Sequence, residues 1–211
     1  MKRNQYTLGK PISFKGNGLH SGIPVTITMR PAPAGSGIIF RRIDLTGAPE
    51  VPAKSEFVTN TLRATTLERG NAKVFTVEHI LSALFALRID NCILEMDAPE
   101  PPVADGGALT FSQMILEAGI VELEEQTDIL TLETSVAVYE YNKFITALPY
   151  DGLRITFTSI NPHPLLGTQM KDFTIDKETY IREIAPSRTI GFTWELEAMR
   201  QMGLGKGGKI G

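Results

Sequence analysis

Residues 76–84 read TVEHILSAL. Apolar side chains recur there at helical spacing, so the stretch predicts an amphipathic helix over about residues 77–88 with Thr76 as its N-cap. Glu78 and His79 fall in the first turn of this helix. Metal-assisted hydrolysis uses such a pair, the imidazole as a metal ligand and the carboxylate as the group that takes a proton from water. The ordinary alternative is a solvated glutamate beside a core histidine.

Composition limits the classes of function. The chain has 211 residues, of which 42% are hydrophobic and 21% charged, which is typical of a globular protein of one large or two small domains. The net charge of −3 gives no electrostatic basis for binding nucleic acid or an anionic membrane. The single cysteine, Cys92, predicts a reducing compartment. We find no secretory signal or membrane-spanning run, so a cytoplasmic protein is expected.

Strands and helices alternate in two similar blocks. Alternating apolar residues predict strands at 25–29 and 37–40, and a buried strand and a second helix are expected after the first helix, at 91–96 and 110–118. Gly119 would end that helix, and the acidic stretch 121–128 is interpreted as a boundary. The second block has predicted strands at 129–133, 135–139, 144–148 and 153–158, and helices at 177–184 and 193–202.

This order predicts an α+β fold of two similar domains, residues 1–124 and residues 125–211. The first would carry Glu78 and His79. The chain ends with a glycine-rich tail, residues 203–211, which neither follows a strand nor opens a helix. A dinucleotide-binding loop needs both, so we reject that reading of the tail.

Other polar residues are weaker candidates. His20 lies in a glycine-rich turn, and His163 lies between two prolines, where a surface histidine is common. Asp105 and Glu100 follow or adjoin prolines and are interpreted as turn or capping residues. Thr189, two residues before a glycine, could donate a hydrogen bond to an oxyanion.

Six segments occur in an order and at spacings that match one known family. They are residues 16–22 (GNGLHSG), 30–34 (RPAPA), 76–84 (TVEHILSAL), 89–91 (IDN), 98–106 (APEPPVADG) and 187–192 (SRTIGF). Together they resemble the UDP-3-O-acyl-N-acetylglucosamine deacetylases of lipid A biosynthesis. The resemblance implies two α+β domains, each with a sheet packed by helices, and an active site at the domain interface.

The resemblance also implies a zinc-dependent amidohydrolase that removes acetate from a UDP-linked, acylated glucosamine. By position, His79 resembles a zinc ligand, Glu78 the general base and Thr189 the hydroxyl that stabilises the oxyanion. The same comparison gives substrate contacts to Leu62, Ile190 and Phe192. His20 and Asp105 match family positions with mainly architectural roles, and the role of His163 is left open.

The remaining zinc ligands of the family form a His-x-x-x-Asp motif on a later helix. We therefore expect them beyond residue 211 and expect the second domain to be incomplete in this chain. The alternative is a catalytically incompetent module that binds a UDP-sugar or an acyl chain. A weaker alternative is a structural partner completed by another chain. Oligomeric state and acyl-chain length are left open.

Overall fold

The computed structural model describes residues 2–208. Its helices are α1 (Glu78–Ala86), α2 (Leu109–Ala118), α3 (Lys177–Thr179), which continues as a π-type turn at Tyr180–Ile184, and α4 (Leu196–Gln201), which follows a 3-10 turn at Thr193–Glu195. Another 3-10 turn occupies Ser55–Phe57. The strands are β1 (Lys2–Leu8), β2 (Ile12–Asn17), β3 (Pro24–Pro31), β4 (Ile38–Arg42), β5 (Glu50–Pro52), β6 (Val58–Asn60), β7 (Thr66–Arg69), β8 (Ala72–Phe75), β9 (Cys92–Met96), β10 (Ile120–Asp128), β11 (Val136–Glu140), β12 (Lys143–Ala147), β13 (Arg154–Ile160) and β14 (Thr168–Thr174).

The main element of the first half of the chain is a five-stranded sheet in the order β2-β3-β9-β4-β5. Only the β4–β9 pair is parallel, and the other three pairs are antiparallel. Alternate residues of these strands are fully buried, among them Ile27, Met29, Phe40 and Leu94. The alternation at 25–29 predicts this buried face correctly, because successive strand residues point to opposite faces of the sheet.

Helices α1 and α2 supply the second layer of this core. Ile80 and Leu84 of α1 and Phe111 and Ile115 of α2 are at most 1% exposed and belong to one cluster with the buried strand residues. Burying each such side chain contributes roughly 1.5–3 kcal/mol. The two helices predicted from spacing are confirmed, and so is the strand between them.

The ends of these helices differ from the prediction in one respect. The N-cap of α1 is Val77, and no side chain caps this end. The Oγ1 of Thr76 instead donates to the buried carboxylate of Glu100, so the prediction that Thr76 caps the helix is wrong. Gly119 ends α2 with a φ of 78° and a ψ of 155°, a region that glycine alone adopts readily, and this conformation leads the chain directly into β10.

Two small sheets flank the main one. β1 and β10 pair antiparallel, so the acidic stretch 121–128 lies within a strand, and the predicted division at 124/125 falls inside it. Strands β6, β7 and β8 form an antiparallel sheet whose last strand leads to α1. The loop between β6 and β7, residues 61–65, lies at the same end of this sheet as the start of α1, because Thr66 pairs with Phe75.

The second half of the chain contains two antiparallel hairpins, β11–β12 and β13–β14. The strand expected at 129–133 does not form, whereas the other three predicted strands do. Several large apolar side chains of the hairpins are exposed, including Val138 at 66%, Ile145 at 77% and Phe157 at 64%. The helical segments that follow at 177–184 and 193–201 agree with the prediction. The division into two domains stays a prediction.

The segment after the hairpins returns to the first-half core. Tyr180 is 3% exposed and Ala185 is fully buried, and both belong to the main cluster. The Tyr180 hydroxyl lies 2.8 Å from Ser82 Oγ on α1. None of the helices within residues 2–208 combines the length and apolar character that crossing a lipid bilayer requires.

Cys92 provides a test of the core. Its side chain is fully buried, and burial raises the pKa of the thiol to about 12. Because the thiolate is the reactive form, we expect alkylation of the folded protein at pH 8 to be slower than that of an ordinary cysteine by orders of magnitude. The extent of modification would be measured on the Cys92 peptide by mass spectrometry. A Ser55→Cys variant supplies an exposed control thiol, and equal rates at the two positions would contradict the burial.

Candidate active site

Glu78 and His79 lie in the first turn of α1, and both are half-buried. Adjacent helical residues diverge by about 100° around the axis, so the two side chains leave the helix in different directions. The Oε2 of Glu78 accepts a hydrogen bond from the backbone N–H of Thr65 at 3.1 Å. Its other oxygen accepts none from residues 2–208. One side of this carboxylate is therefore fixed, and the other is available to water or substrate.

The loop that holds Glu78 also carries Leu62. The side chain of Leu62 is 71% exposed, and its backbone N–H donates to the Oδ1 of Asn60 at 2.7 Å. The predicted substrate contact and the predicted general base are thus linked through residues 62–65. An exposed leucine held on a short loop beside a carboxylate provides apolar contact area at the edge of the site.

His20 lies on the other side of the same loop. It is 5% exposed, and its Nε2 lies 3.3 Å from the carbonyl oxygen of Arg63, to which it donates. The Nδ1 is buried and has no partner within residues 2–208. The backbone of His20 is held by Glu100, whose side chain is 1% exposed. We call residues 16–22 the His20 loop.

The glycine-rich tail lies against the His20 loop. The N–H of Gly207 donates to the carbonyl of Leu19 at 2.9 Å. A Cβ on Gly207 would overlap the carbonyl oxygen of Gly18, so this approach requires glycine. The part of the tail that the structure describes therefore packs on backbone. Residues 209–211 lie outside the described residues.

An ion pair connects the loop to the second half of the chain. The Arg63 guanidinium donates to Glu195 Oε1 at 2.7 Å, and Glu195 also accepts from the Phe192 N–H at 3.4 Å. The Arg63 guanidinium lowers the pKa of the Glu195 carboxyl below its usual range. This pair brings residues 192–195 beside the loop that contacts Glu78 and His20.

Thr189 and Asp105 lie where two loops meet. The Thr189 N–H donates to the carbonyl of Gly106 at 2.9 Å, and the Thr189 side chain is exposed. The Asp105 carboxylate is exposed and accepts from Thr110 Oγ1 at 3.2 Å. This bond spans the start of α2, and the architectural role expected for Asp105 stays a prediction. Gly107 allows the close approach, because a Cβ there would lie 2.8 Å from the carbonyl oxygens of Ala185 and Ser187.

His163, Phe192 and Trp194 form a stack of three nearly parallel rings. The centroids of Phe192 and Trp194 are 4.4 Å apart, and those of His163 and Trp194 are 5.4 Å apart. Next to the stack is an open cavity of about 300 Å³, lined by His163, Leu165, Leu166, Ile190, Gly191 and Phe192. The structure therefore brings three residues singled out by sequence, His163, Ile190 and Phe192, to one apolar surface.

A metal centre is not complete in the part of the chain that is described. Within residues 2–208, no three His, Cys, Asp or Glu side chains are grouped so that they could hold a metal ion. His79 offers an imidazole nitrogen, a donor that zinc accepts, but a catalytic zinc usually has three protein ligands. His20 and His163 take other positions, one against the Arg63 carbonyl and one in the aromatic stack.

Four residues that organise this site carry no clear signal in the sequence. The sequence predicts a turn or capping role for Glu100, whereas its carboxylate is buried and accepts hydrogen bonds from the His20 loop. Arg63 and Glu195 lie 132 positions apart, so no local pattern indicates their pairing. Trp194 extends the ring stack, and its spacing of two from Phe192 was the only signal available.

Comparison with known proteins adds independent evidence. The family described as UDP-3-O-acyl N-acetylglycosamine deacetylase (LpxC) matches residues 5–211. A bifunctional enzyme LpxC/FabZ of Chlorobaculum tepidum is 43% identical over 210 residues, 98% of this chain and 45% of that protein. UDP-3-O-acyl-N-acetylglucosamine deacetylases of Myxococcus xanthus and Legionella pneumophila are 42% and 41% identical, again over 98% of this chain. The chain spans 66% and 68% of their lengths.

The pairing of Arg63 with Glu195 can be tested by titration. In Arg63→Gln the Glu195 carboxyl loses its cation, so we expect its pKa to rise toward the ordinary value for glutamate. Because the pKa is depressed in the parent, the pair stabilises the fold above the ordinary pKa, and this contribution is lost as pH falls through the depressed one. Carboxyl NMR of Glu195 against pH gives the measurement.

Arg154→Gln is the matched control for this titration. Arg154 pairs with Asp172 at 2.6 Å, and together with Thr156 it lowers the pKa of Asp172 to about 2. This variant should raise the pKa of Asp172 and leave the pKa of Glu195 unchanged. If Glu195 titrates identically in the parent and in Arg63→Gln, the ion pair does not exist in solution.

Proposed function

We propose, because this chain belongs to the UDP-3-O-acyl N-acetylglycosamine deacetylase (LpxC) family, that it hydrolyses the N-acetyl group of a UDP-linked, 3-O-acylated N-acetylglucosamine and releases acetate. The step belongs to lipid A biosynthesis. The observation that carries the proposal is the position of Glu78, half-buried beside His79 in the first turn of α1 with one carboxylate oxygen anchored by Thr65.

Glu78 is the proposed general base. A base must keep one orientation and still reach a water, and the bond from the Thr65 N–H to Oε2 supplies the first of these. Oε1 is then directed away from that bond and can accept a proton from the attacking water. The proton would later be needed to release the amine, because an amide nitrogen leaves as a neutral amine.

His79 is the proposed metal ligand of this chain. Zinc, when bound, would lower the pKa of water and polarise the amide carbonyl. One imidazole does not make a catalytic site, so the other ligands must come from outside the described residues. The relatives from Myxococcus and Legionella are longer than the region that this chain spans, and we infer that the remaining ligands lie in that additional length.

Thr189 is the proposed oxyanion donor. Its backbone is fixed to the Gly106 carbonyl, while its side chain is exposed and can turn its hydroxyl toward a substrate. Because the backbone of Thr189 is fixed, only the rotation of its side chain is needed to aim the hydroxyl when negative charge develops on the amide oxygen. The hydroxyl would stabilise the tetrahedral intermediate by a hydrogen bond.

The apolar surface beside Thr189 is proposed to contact the substrate. Ile190 is 67% exposed, Phe192 is half-buried, and both line the cavity next to the ring stack. Leu62 adds apolar area near Glu78. A UDP-linked acylated sugar presents a base, a sugar and an acyl chain, and such a surface accepts flat or apolar groups.

One observation favours a second candidate, a module that binds a UDP-sugar or an acyl chain without turnover. The described residues hold no group of side chains that could bind a metal, and a lone imidazole binds zinc weakly. The two candidates differ in one measurement. A binding module would bind the UDP-linked acylated sugar but release no acetate from it, with or without added zinc.

Glu78→Gln tests the proposed base. We expect the variant of the full-length, zinc-loaded protein to lose activity by roughly 10²–10⁴-fold, because the carboxamide cannot accept the proton. Acetate release would be measured together with the melting temperature. Glu117→Gln, an exposed glutamate on α2, is the matched control and should behave as the parent. Retention of activity in Glu78→Gln would contradict the proposal.

Thr189→Val tests the oxyanion donor. Loss of one such donor is expected to lower kcat by about 10²–10³-fold with little change in KM, since the bond forms in the transition state. Thr189→Ser keeps the hydroxyl and should keep most of the activity. Thr193→Val, at an exposed position four residues on, controls for the loss of a hydroxyl. An equal effect of both valine substitutions would exclude a role for Thr189.

A further inference from the structure

We propose that Glu100 is a positioning residue that couples the His20 loop to the start of α1, and so sets where Glu78 and His79 lie. The catalytic part of this inference rests on the proposed function. The coupling itself rests on contacts among residues that are distant in sequence. Glu100 touches none of the groups assigned to the reaction and would act through Thr76 and His20.

The carboxylate of Glu100 is almost completely buried, at 1% exposure, and it accepts hydrogen bonds from donors in two segments. Its Oε1 accepts from the His20 N–H at 2.9 Å and from Thr76 Oγ1 at 2.8 Å. Its Oε2 accepts from the Ser21 N–H at 2.8 Å. A buried carboxylate must be satisfied by donors, so the two segments are constrained to meet at this group.

Thr76 is the contact that reaches the helix. Its φ is 57°, a left-handed conformation that is strained for a β-branched residue. The bond from the Thr76 hydroxyl to Glu100 favours this backbone conformation, and the Phe75 N–H donates to the carbonyl of Pro99, the residue before Glu100, at 3.0 Å. The kink at Thr76 sets the direction in which α1 begins, and Glu78 and His79 follow within its first turn.

The His20 loop is the contact that reaches the rest of the site. A Cβ on Gly18 would overlap Glu100 Oε2, so the loop approaches the carboxylate as closely as backbone can. His20 then contacts the Arg63 carbonyl, and the same loop of residues 61–65 supplies the Thr65 N–H to Glu78. Glu100 therefore affects the position of Glu78 by two routes. One runs through Thr76, and the other runs through the loop of residues 61–65 that anchors the Glu78 carboxylate.

The experiment compares two Thr→Val substitutions in the full-length, zinc-loaded protein. Thr76→Val removes the hydroxyl that binds Glu100. Thr7→Val removes an equally buried hydroxyl, at 5% exposure against 6%, which donates to the Asn91 carbonyl at 2.8 Å and accepts from the Ala32 N–H. Both variants should be destabilised. Only Thr76→Val should lower kcat, by about tenfold with KM nearly unchanged, because it alone displaces the catalytic carboxylate.

Thr76→Ser restores the hydroxyl and is expected to restore kcat to within about threefold of the parent. A second readout does not depend on activity. The His20 N–H also reaches Glu100 Oε2 at 3.1 Å. In Glu100→Gln one of the two carboxylate oxygens becomes an amide nitrogen, so either the Ser21 N–H loses its acceptor or the His20 N–H loses the shorter of its two bonds. Hydrogen exchange should then accelerate in peptides covering residues 18–22 and 76–82, whereas Thr76→Val should accelerate the second peptide more than the first.

The outcomes separate the coupling from the proposed function. If Thr76→Val and Thr7→Val have the same kcat, or if serine does not rescue, the positioning role is wrong even when Glu78→Gln is inactive. If exchange is coupled as expected but Glu78→Gln remains active, the coupling stands and the proposed chemistry fails. If Glu100→Gln does not fold, the Thr76 pair still decides the question.

Discussion

The structure depends most on the buried Glu100 carboxylate, whose donors within residues 2–208 are backbone N–H groups and one hydroxyl. Moving a carboxylate out of water costs several kcal/mol unless its oxygens gain partners, so the Glu100 side chain can be buried only if its surroundings assemble around it. The His20 loop and Thr76 supply those donors. Because Thr76 directly precedes Val77, the N-cap of α1, the constraint extends from a proline-rich loop to the helix that carries Glu78 and His79.

The elements that the sequence predicts correctly are those whose signal is local. Helices α1 and α2 and strands β3 and β9 each bury one regular face, and the spacing of apolar residues records this directly. β10 does not follow this rule, because within residues 2–208 it pairs with β1 alone and keeps charged residues exposed on both faces, so it lacks an apolar pattern. The three-residue strands β5 and β6 are too short for any period to appear.

The candidate site residues could be named from the sequence, although their chemical roles stay predictions, whereas the groups that support them could not be named. Glu78 and His79 are adjacent, and the other predicted residues belong to short motifs, so sequence could name them. The groups that orient them are separated by long stretches of chain, for example Glu100 from His20 and Glu195 from Arg63. Thr76 shows why a local pattern can mislead. Its hydroxyl is typical of a helix N-cap, but it donates instead to the buried carboxylate of Glu100, 24 residues away.

Two of the contacts that hold residues 180–195 against the first half of the chain differ in strength. The Arg63–Glu195 pair is partly exposed, with side-chain exposures of 41% and 25%, and exposed ion pairs are weakened by solvent and salt. Tyr180 is 3% exposed, and burying a side chain of this size contributes on the order of 2 kcal/mol. Tyr180 and Ala185 therefore hold the segment against the core, while the ion pair fixes the position of its far end at Glu195. Thr189, the proposed oxyanion donor, lies in the chain between these two contacts. The apolar contact stabilises the packing of the segment, and the ion pair fixes the position of its far end.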